Sequence, residues 1–429
     1  MDYPLWIIPG ISGAMVIAIN AILHVLISHF AVGMGLFVAV AELKAIKSGD
    51  RDYVDFVKNS SKLILLISAI IGALTGVGIW FTIALVSPSG TSSLIHNYVW
   101  GWAIEWIFFV LEIVAILVYY YTWDKVSDKF HNFVGWLYFI GAYLSLVIIN
   151  GIITFQLTPG NWLKTHAFWD GFFNPTYFPS LVGRSGICFF LAGVFATLVL
   201  SFMKNMDIKA KAGRLAGWFL IFGIILTYLG FFWWQNAIPA QVRQNFLGAN
   251  TILTDFYKYA SMLGIVTFVI AFIFTMVVPK KMNIVISLIL LILSQLAFGY
   301  YEFTRERARK PYVIVDYMYS HGILKSEVEK LNKDGILSKV KWANPRHSQD
   351  PMVVGRAVFD AQCIICHDLH YFNAKPLFDN IKGMDSESIK SDILESLDAN
   401  PLMPPFIGNE KEKDALALYL EYLGKNVKK

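Results

Sequence analysis

In a chain of 429 residues, 56% hydrophobic, 15% aromatic and 16% charged residues depart from the make-up of soluble domains, in which about a quarter of residues carry charge. This composition excludes a disordered or multidomain soluble protein and places most of the chain in a bilayer. The net charge of +5 gathers in loops between apolar runs, so it reports membrane topology and offers no argument for a nucleic-acid partner.

Eight apolar stretches, at 13–43, 60–87, 97–123, 132–155, 179–203, 213–234, 256–278 and 282–302, are each long enough to cross a hydrocarbon core of about 30 Å at about 1.5 Å per residue. The first follows the uncharged "MDYPLWIIPGISG" and exceeds the length of a signal h-region, so it reads as a retained span. Lys44, Lys47, Arg51, Lys58 and Lys62 fill the first loop, Lys125 and Lys129 the third, Lys204, Lys209, Lys211 and Arg214 the fifth, and Lys280 and Lys281 the seventh. The even loops hold few bases, with Lys164, Arg243 and Lys258 the exceptions. The positive-inside rule then makes the odd loops cytoplasmic and puts the N-terminus and everything beyond about Arg305 outside a cell (inner) membrane.

Ionisable side chains inside spans are costly and mark functional positions. In the first span His24 and His29 stand five residues apart, about 140° around a helix, so they cannot both face one point. Either could ligate a haem b iron. Glu105 and Glu112 in the third span are seven residues apart, on one helix face and about 10 Å apart in depth. Stacked carboxylates suit proton relay or charge compensation at a buried haem. In the fifth span Arg184 of "VGRSGICFF" is a candidate partner for a haem propionate, and Cys188 reads as a small apolar filler. Near the outer end of the eighth, Glu302 of "FGYYEFTRERARKPYVI" reads as a metal ligand or an interfacial charge.

Residues 305–349 are basic and mixed and read as an extracytoplasmic linker, with Ser326 and Glu329 as the capping box of a short helix. From Asp350 on, thirteen acidic against nine basic residues describe a small acidic domain. It contains "VFDAQCIICHDLHYF". C-x-x-C-H is the attachment motif of c-type haem: Cys363 and Cys366 bond the porphyrin covalently, and one helical turn holds the His367 imidazole at the iron. A zinc site would need a second ligand pair, whereas only His370 is at hand. A thioredoxin-like pair would need a strand and turn before it, whereas "MVVGRAVFDAQ" has helical periodicity. Residues 350–429 resemble a class I cytochrome c, with Gly355 and Phe359 in the N-terminal helix, then "PLMPPF" and a closing helix "EKDALALYLEYLG". The resemblance implies Met403 as second axial ligand, with His370 the alternative, and Met352 and Met384 as packing residues.

The membrane part resembles subunit I of the cytochrome bd oxidases. "AILHVLISHFAVGMGL" carries the family's haem-ligating histidine at His24, which leaves His29 as the alternative; "IEWIFFVLE" matches the family's glutamate pair, which is spaced one residue wider there. "NGIITFQLTPG" and "FFNPTYF" follow the family's outer loop. "YASMLGIV" places a methionine ligand of a low-spin haem at Met262, and "EFTRERARKPY" puts Glu302 at a carboxylate haem ligand. Two departures stand out. Gly183 and Arg184 occupy the place of the histidine opposite that methionine, and the quinol-binding loop is reduced to "QNAIPAQVRQNFLGANTILTD".

The expectation is therefore an all-α protein: a polytopic bundle of about eight transmembrane helices (1–304), a linker (305–349) and a small all-α cytochrome c domain (350–429). One covalent haem c, one or two haem b and a possible place for haem d are implied, with dioxygen as substrate. Expected partners are a soluble periplasmic redox protein or cytochrome c as electron donor, and a second membrane subunit or a second copy. The rival expectation is an electron-transfer subunit with no substrate chemistry, linking quinol or a partner subunit to periplasmic cytochromes.

Overall fold

The computed structural model describes residues 4–8, 11–249, 251–346, 348–367, 369 and 377–426; His370 lies outside them. Among the described residues, eight helices are long and apolar enough to cross a membrane: α1 (Gly13–Ser48), α2 (Arg51–Val86), α3 (Val99–Tyr121), α4 (Asp128–Phe155), α5 (Tyr177–Ser201), α6 (Met206–Ala237), α7 (Ile252–Val277) and α8 (Ile284–Ala308). Several run past the apolar stretch because polar residues cap them. The Asp50 carboxylate accepts from the Asp52 N–H at the start of α2, and the Asn205 side chain accepts from the Asp207 and Ile208 N–H groups at the start of α6, satisfying donors a helix start leaves open. Hydropathy sees only the span, so α6 begins seven residues earlier than its apolar run. A short helix, Pro88–Asn97, has no apolar run to announce it.

The chain forms two compact units. The first to consider comprises residues 21–77 and 98–305 and holds most of the bundle. Its core gathers Phe30, Met34, Phe37, Phe56, Tyr119, Tyr138 and Leu220, all 0–1% exposed. Helices α5 and α6 pack backbone to backbone: a Cβ on Gly223 would stand 2.4 Å from the Phe190 nitrogen, so only glycine permits this approach, as in membrane helix pairs generally. Midway along α2 the residues Leu65–Gly72 widen into a π-helical stretch, a distortion frequent at functional sites.

The other unit comprises residues 1–20, 78–97 and 306–429. The segment expected to be a linker is folded. A two-stranded antiparallel hairpin, β1 (Tyr312–Ile314) with β2 (Met318–Tyr319), adds a small β element to an otherwise helical protein. A short helix α9 (Val328–Asp334) follows. Its cap differs from the expected one: Glu327 reaches back to the Leu324 N–H at 3.1 Å, while Glu329 pairs with Lys333 on the surface. The helical turn starts at Lys325, two residues before a Ser326 cap would allow.

In the C-terminal part, α10 (Pro351–Gln362) crosses α11 (Glu410–Asn426). Gly355 sits at the crossing, where a Cβ would come within 2.1 Å of the Ala415 carbonyl oxygen, and Phe359 meets Tyr419 with ring centroids 5.8 Å apart. The buried Glu412 carboxylate accepts from the Ile336 and Leu337 N–H groups at 2.7 and 3.1 Å, tying residues 335–337 to α11. Gly355→Val is expected to destabilise this helix pair by about 1–3 kcal/mol or more, the cost of overpacking. Limited proteolysis checks this: cleavage confined to residues beyond 350 is the expected result, and a wild-type pattern would contradict the crossing.

Candidate functional site

The π stretch of α2 ends beside His24. The Thr75 hydroxyl spends its proton on the carbonyls of Ile71 (2.8 Å) or Gly72 (3.1 Å), so its oxygen can only accept at the His24 Nδ1 contact of 3.1 Å. Nδ1 therefore carries the proton and Nε2 the lone pair, the tautomer in which a second partner prepares an imidazole for a metal. Gly76 makes room for this ring: a Cβ there would stand 3.0 Å from His24 Cε1.

His29 is arranged differently. Its Nδ1–H donates to the Val25 carbonyl at 2.6 Å, and its Nε2 accepts from Arg184 Nη1 at 3.4 Å, so the lone pair is already engaged. Arg184 also donates from Nε to Ser180 Oγ at 3.2 Å. Glu302 lies within electrostatic reach of both His29 and Arg184, and its carboxylate accepts from Arg305 Nε and Nη2 at 3.1 and 2.9 Å. The structure thus gathers His29, Arg184, Glu302 and Arg305 into one charged cluster, in which His29 and Glu302 are 1% and 6% exposed.

Glu105 and Glu112 of α3 both face α4. Ser145 donates to Glu105 Oε1 at 2.7 Å. The Tyr138 hydroxyl lies 3.5 Å from Glu112 Oε1, and Ser68 of the π stretch donates to the same oxygen at 3.4 Å. Tyr138 and Ser145 are themselves seven residues apart, so two hydroxyls on one face of α4 meet two carboxylates on one face of α3.

A cavity of about 140 Å³ lies among α5, α6, α7 and α8, lined by Arg184, Thr227, Phe231, Tyr257, Phe298 and Tyr301 among others. Its α7 wall is Ala260, Ser261 and Gly264; Met262 is not part of it and is 54% exposed. Gly183 lines it too, and among the described residues none that lines it is a histidine or a methionine.

Glu42 and His131 are ionisable residues that the apolar runs hide, because they stand at span ends beside loop charges. They are buried, each 3% exposed. His131 Nδ1 lies 2.6 Å from Glu42 Oε1 and its Nε2 2.8 Å from the Tyr119 carbonyl. Tyr119 and Asn132 donate to Glu42 Oε2 at 2.9 and 3.0 Å. A carbonyl only accepts, so Nε2 is protonated, and the Nδ1 contact shares one proton with the carboxylate. Removing one partner of a buried pair costs about 3–5 kcal/mol; Glu42→Ala is therefore expected to lower the melting temperature of the purified protein sharply, whereas an unshifted melt would show that the pair contributes no net stability.

In the C-terminal unit, α10 ends at Gln362 and the chain turns through Cys363–His367: the Cys366 and His367 N–H groups both donate to the Cys363 carbonyl, at 3.1 and 2.9 Å. The cysteines are not bonded to each other. Burial, reinforced by Cys366 and Asp360, pushes the Cys363 thiol up to about 12, opposite to the depressed values of redox-active or metal-binding thiolates. Among the described residues no trio of His, Cys, Asp or Glu is placed to hold a metal ion. Gln362 pairs reciprocally with Ile407, at 3.2 Å in both directions, which fixes the loop after Met403 to the residue before Cys363. Ile364 and Ile365, between the cysteines, share a crevice with Leu5, Trp6, Ile11 and Val86.

The profile of the family "Cytochrome bd terminal oxidase subunit I" matches residues 14–242, a stretch that holds His24, His29, Glu105, Glu112 and Arg184 and stops before Met262, Glu302 and residues 306–429. A Bacillus subtilis (strain 168) protein provisionally named as a cytochrome bd menaquinol oxidase subunit I is 24% identical over 197 residues, 44% of this chain and 43% of that one; the chain thus spans under half the length of this relative. The bd oxidase structure from Geobacillus thermodenitrificans superposes with a TM-score of 0.59 over 72% of this chain and 89% of that one, at 17% identity, which speaks for the fold alone. With its eight apolar helices, this is a multi-pass membrane protein, and the chain belongs to the cytochrome bd terminal oxidase subunit I family.

Proposed function

We propose that the chain is a membrane-bound multihaem electron-transfer protein: a bd-like oxygen reductase that takes its electrons at a fused C-terminal cytochrome c domain. One observation carries the reading. A C-x-x-C-H turn ends a helix that crosses the closing helix at Gly355, and the Met403 loop is pinned to that turn through Gln362 and Ile407, all on a chain whose membrane part belongs to the bd subunit I family. When bound, a c-type haem supplies one-electron transfer and a haem b or d in the bundle supplies dioxygen chemistry.

The chain's own residues divide the work. Cys363 and Cys366 would hold the haem covalently, and His367 and Met403 would bind its iron. His24, with Nδ1 held by Thr75, offers Nε2 to the membrane haem iron, with Glu302 the carboxylate ligand. His29 accepts from Arg184 and would hold that guanidinium for a haem propionate. Glu105 and Glu112, each held by a hydroxyl of α4, carry or balance protons. The acidic domain faces outside with the N-terminus, where a soluble c-type donor meets it, and a second membrane subunit or copy covers exposed aromatic helix faces such as Trp100 and Trp106.

A second reading is favoured by one feature: Gly183 and Arg184 line the cavity among α5 to α8, and among the described residues no imidazole does. A bundle lacking that pair of ligands would hold one membrane haem fewer, which suits an electron-transfer subunit without dioxygen chemistry. A pyridine haemochrome assay on the purified chain separates the readings. Covalent c with extractable b and a chlorin supports the oxygen reductase, c with b alone supports electron transfer, and extractable haem with none covalently bound refutes the fused-port proposal.

A further inference from the structure

The cavity of about 140 Å³ among α5, α6, α7 and α8 is long for its volume. Its α5 wall runs from Pro179 to Leu191, about 18 Å at about 1.5 Å per residue, so the room is a slot about one hydrocarbon chain wide. Pro179 and Trp234, close to the start of α5 and the end of α6, mark one end, and Leu191, Gly264 and Ser294 mark the other. Along the slot the Ser294 hydroxyl donates to the Leu291 carbonyl at 2.9 Å and the Thr227 hydroxyl to the Gly223 carbonyl at 2.8 Å. Walls whose hydroxyl protons are spent on their own helices suit an apolar occupant.

The Pro179 end differs. Arg184 lines the cavity there and is 7% exposed. Its Nε donates to Ser180 Oγ at 3.2 Å, one turn toward the start of α5, and its Nη1 to His29 Nε2 at 3.4 Å; Nη2 has no partner among the described residues. Glu302, within electrostatic reach, accepts from Arg305 at 3.1 and 2.9 Å, and among the described residues no hydrogen bond joins it to Arg184. A buried guanidinium with donors to spare calls for an anion.

An anion site at one end of an apolar slot selects a long-chain acid. A planar carboxylate matches the guanidinium fork, and a slot one chain wide excludes the paired chains of a phospholipid. We propose that the slot binds one long-chain fatty acid, its carboxylate on Arg184 and its tail running past Ile187 toward Gly264. The inference rests on the premise of the second reading above, that no haem fills this cavity; the acid that Arg184 meets is then a lipid's and not a propionate's.

The test is binding of deuterated hexadecanoic acid to the full-length chain in detergent, counted per polypeptide by mass spectrometry, beside its methyl ester and the haem content of the same samples. Wild type is expected to hold a single acid and to bind the ester about tenfold more weakly, the loss of one charge-assisted hydrogen bond. Gly264→Leu fills the slot at a position where a Cβ would meet nothing within 4 Å, and should lower acid binding about tenfold or more with haem content unchanged. Arg184→Gln should bind acid and ester alike, and Leu229→Ala, at an exposed position outside the slot, should match wild type. If Arg184→Gln does not accumulate, the ester comparison on wild type carries that arm. Acid uptake unchanged in Gly264→Leu, as for acid dissolved in detergent, overturns the site, and so does equal binding of acid and ester by wild type. Haem lost from Gly264→Leu overturns the premise beneath it, so the haem content tells the two failures apart.

Discussion

Replacing Cys363 and Cys366 together by serine is expected to remove all covalently bound haem and to lower oxygen uptake from a reduced c-type donor by about a hundredfold or more. The magnitude follows from connectivity. A port on the same chain delivers electrons at an effective concentration in the millimolar range, and its loss turns that step into a collision between separate molecules. Ile364 and Ile365 share a crevice with Leu5, Trp6 and Val86, and the Gln362–Ile407 pair ties the loop after Met403 to the residue before Cys363. Non-covalent haem in the double variant should match wild type. Loss of every haem would instead point to a folding defect, and an unchanged uptake rate would show that electrons enter elsewhere.

His24→Ala and His29→Ala are expected to part company. The first should abolish the membrane haem for which His24 is the proposed ligand, while the second should leave haem content near wild type, because the His29 lone pair is engaged by Arg184. Thr75→Val, which removes the acceptor fixing the His24 tautomer, should weaken haem retention about 10–100-fold, the usual loss when the partner of a metal-bound histidine is deleted. Extractable haem per polypeptide measures all three. Equal loss in both histidine variants would mean that the lone-pair argument misassigns the ligand.

The eight spans were legible because hydropathy over twenty residues is a strong signal, and their ends were not, because capping residues such as Asp50 and Asn205 continue a helix in polar sequence. The sequence separated His24 from His29 only by resemblance. The physical distinction depends on Arg184, 155 residues away from His29, and on Thr75 in a neighbouring helix, neither of which periodicity can place. Glu42 and His131 stand at span ends beside Lys44 and Lys129, where nothing in the sequence signals burial; only the fold shows them buried against each other. Residues 305–349 read as a linker since their apolar residues come in short groups, among them Tyr312–Val315 and Ile336–Leu337, that have no period of their own; the first is held by β1–β2 pairing and the second by Glu412 of α11. The C-x-x-C-H turn was legible from five residues, whereas the Gln362–Ile407 tie spans 45 positions and appears only in three dimensions.

The most direct test of the fused-port account is oxygen consumption by the purified full-length chain, with any second subunit that copurifies, supplied with a reduced c-type cytochrome. The account predicts rapid uptake, reoxidation of the donor in step with it, and loss of both in the Cys363→Ser, Cys366→Ser protein. Haems that accept electrons from the donor and then stay reduced in air-saturated buffer would contradict it.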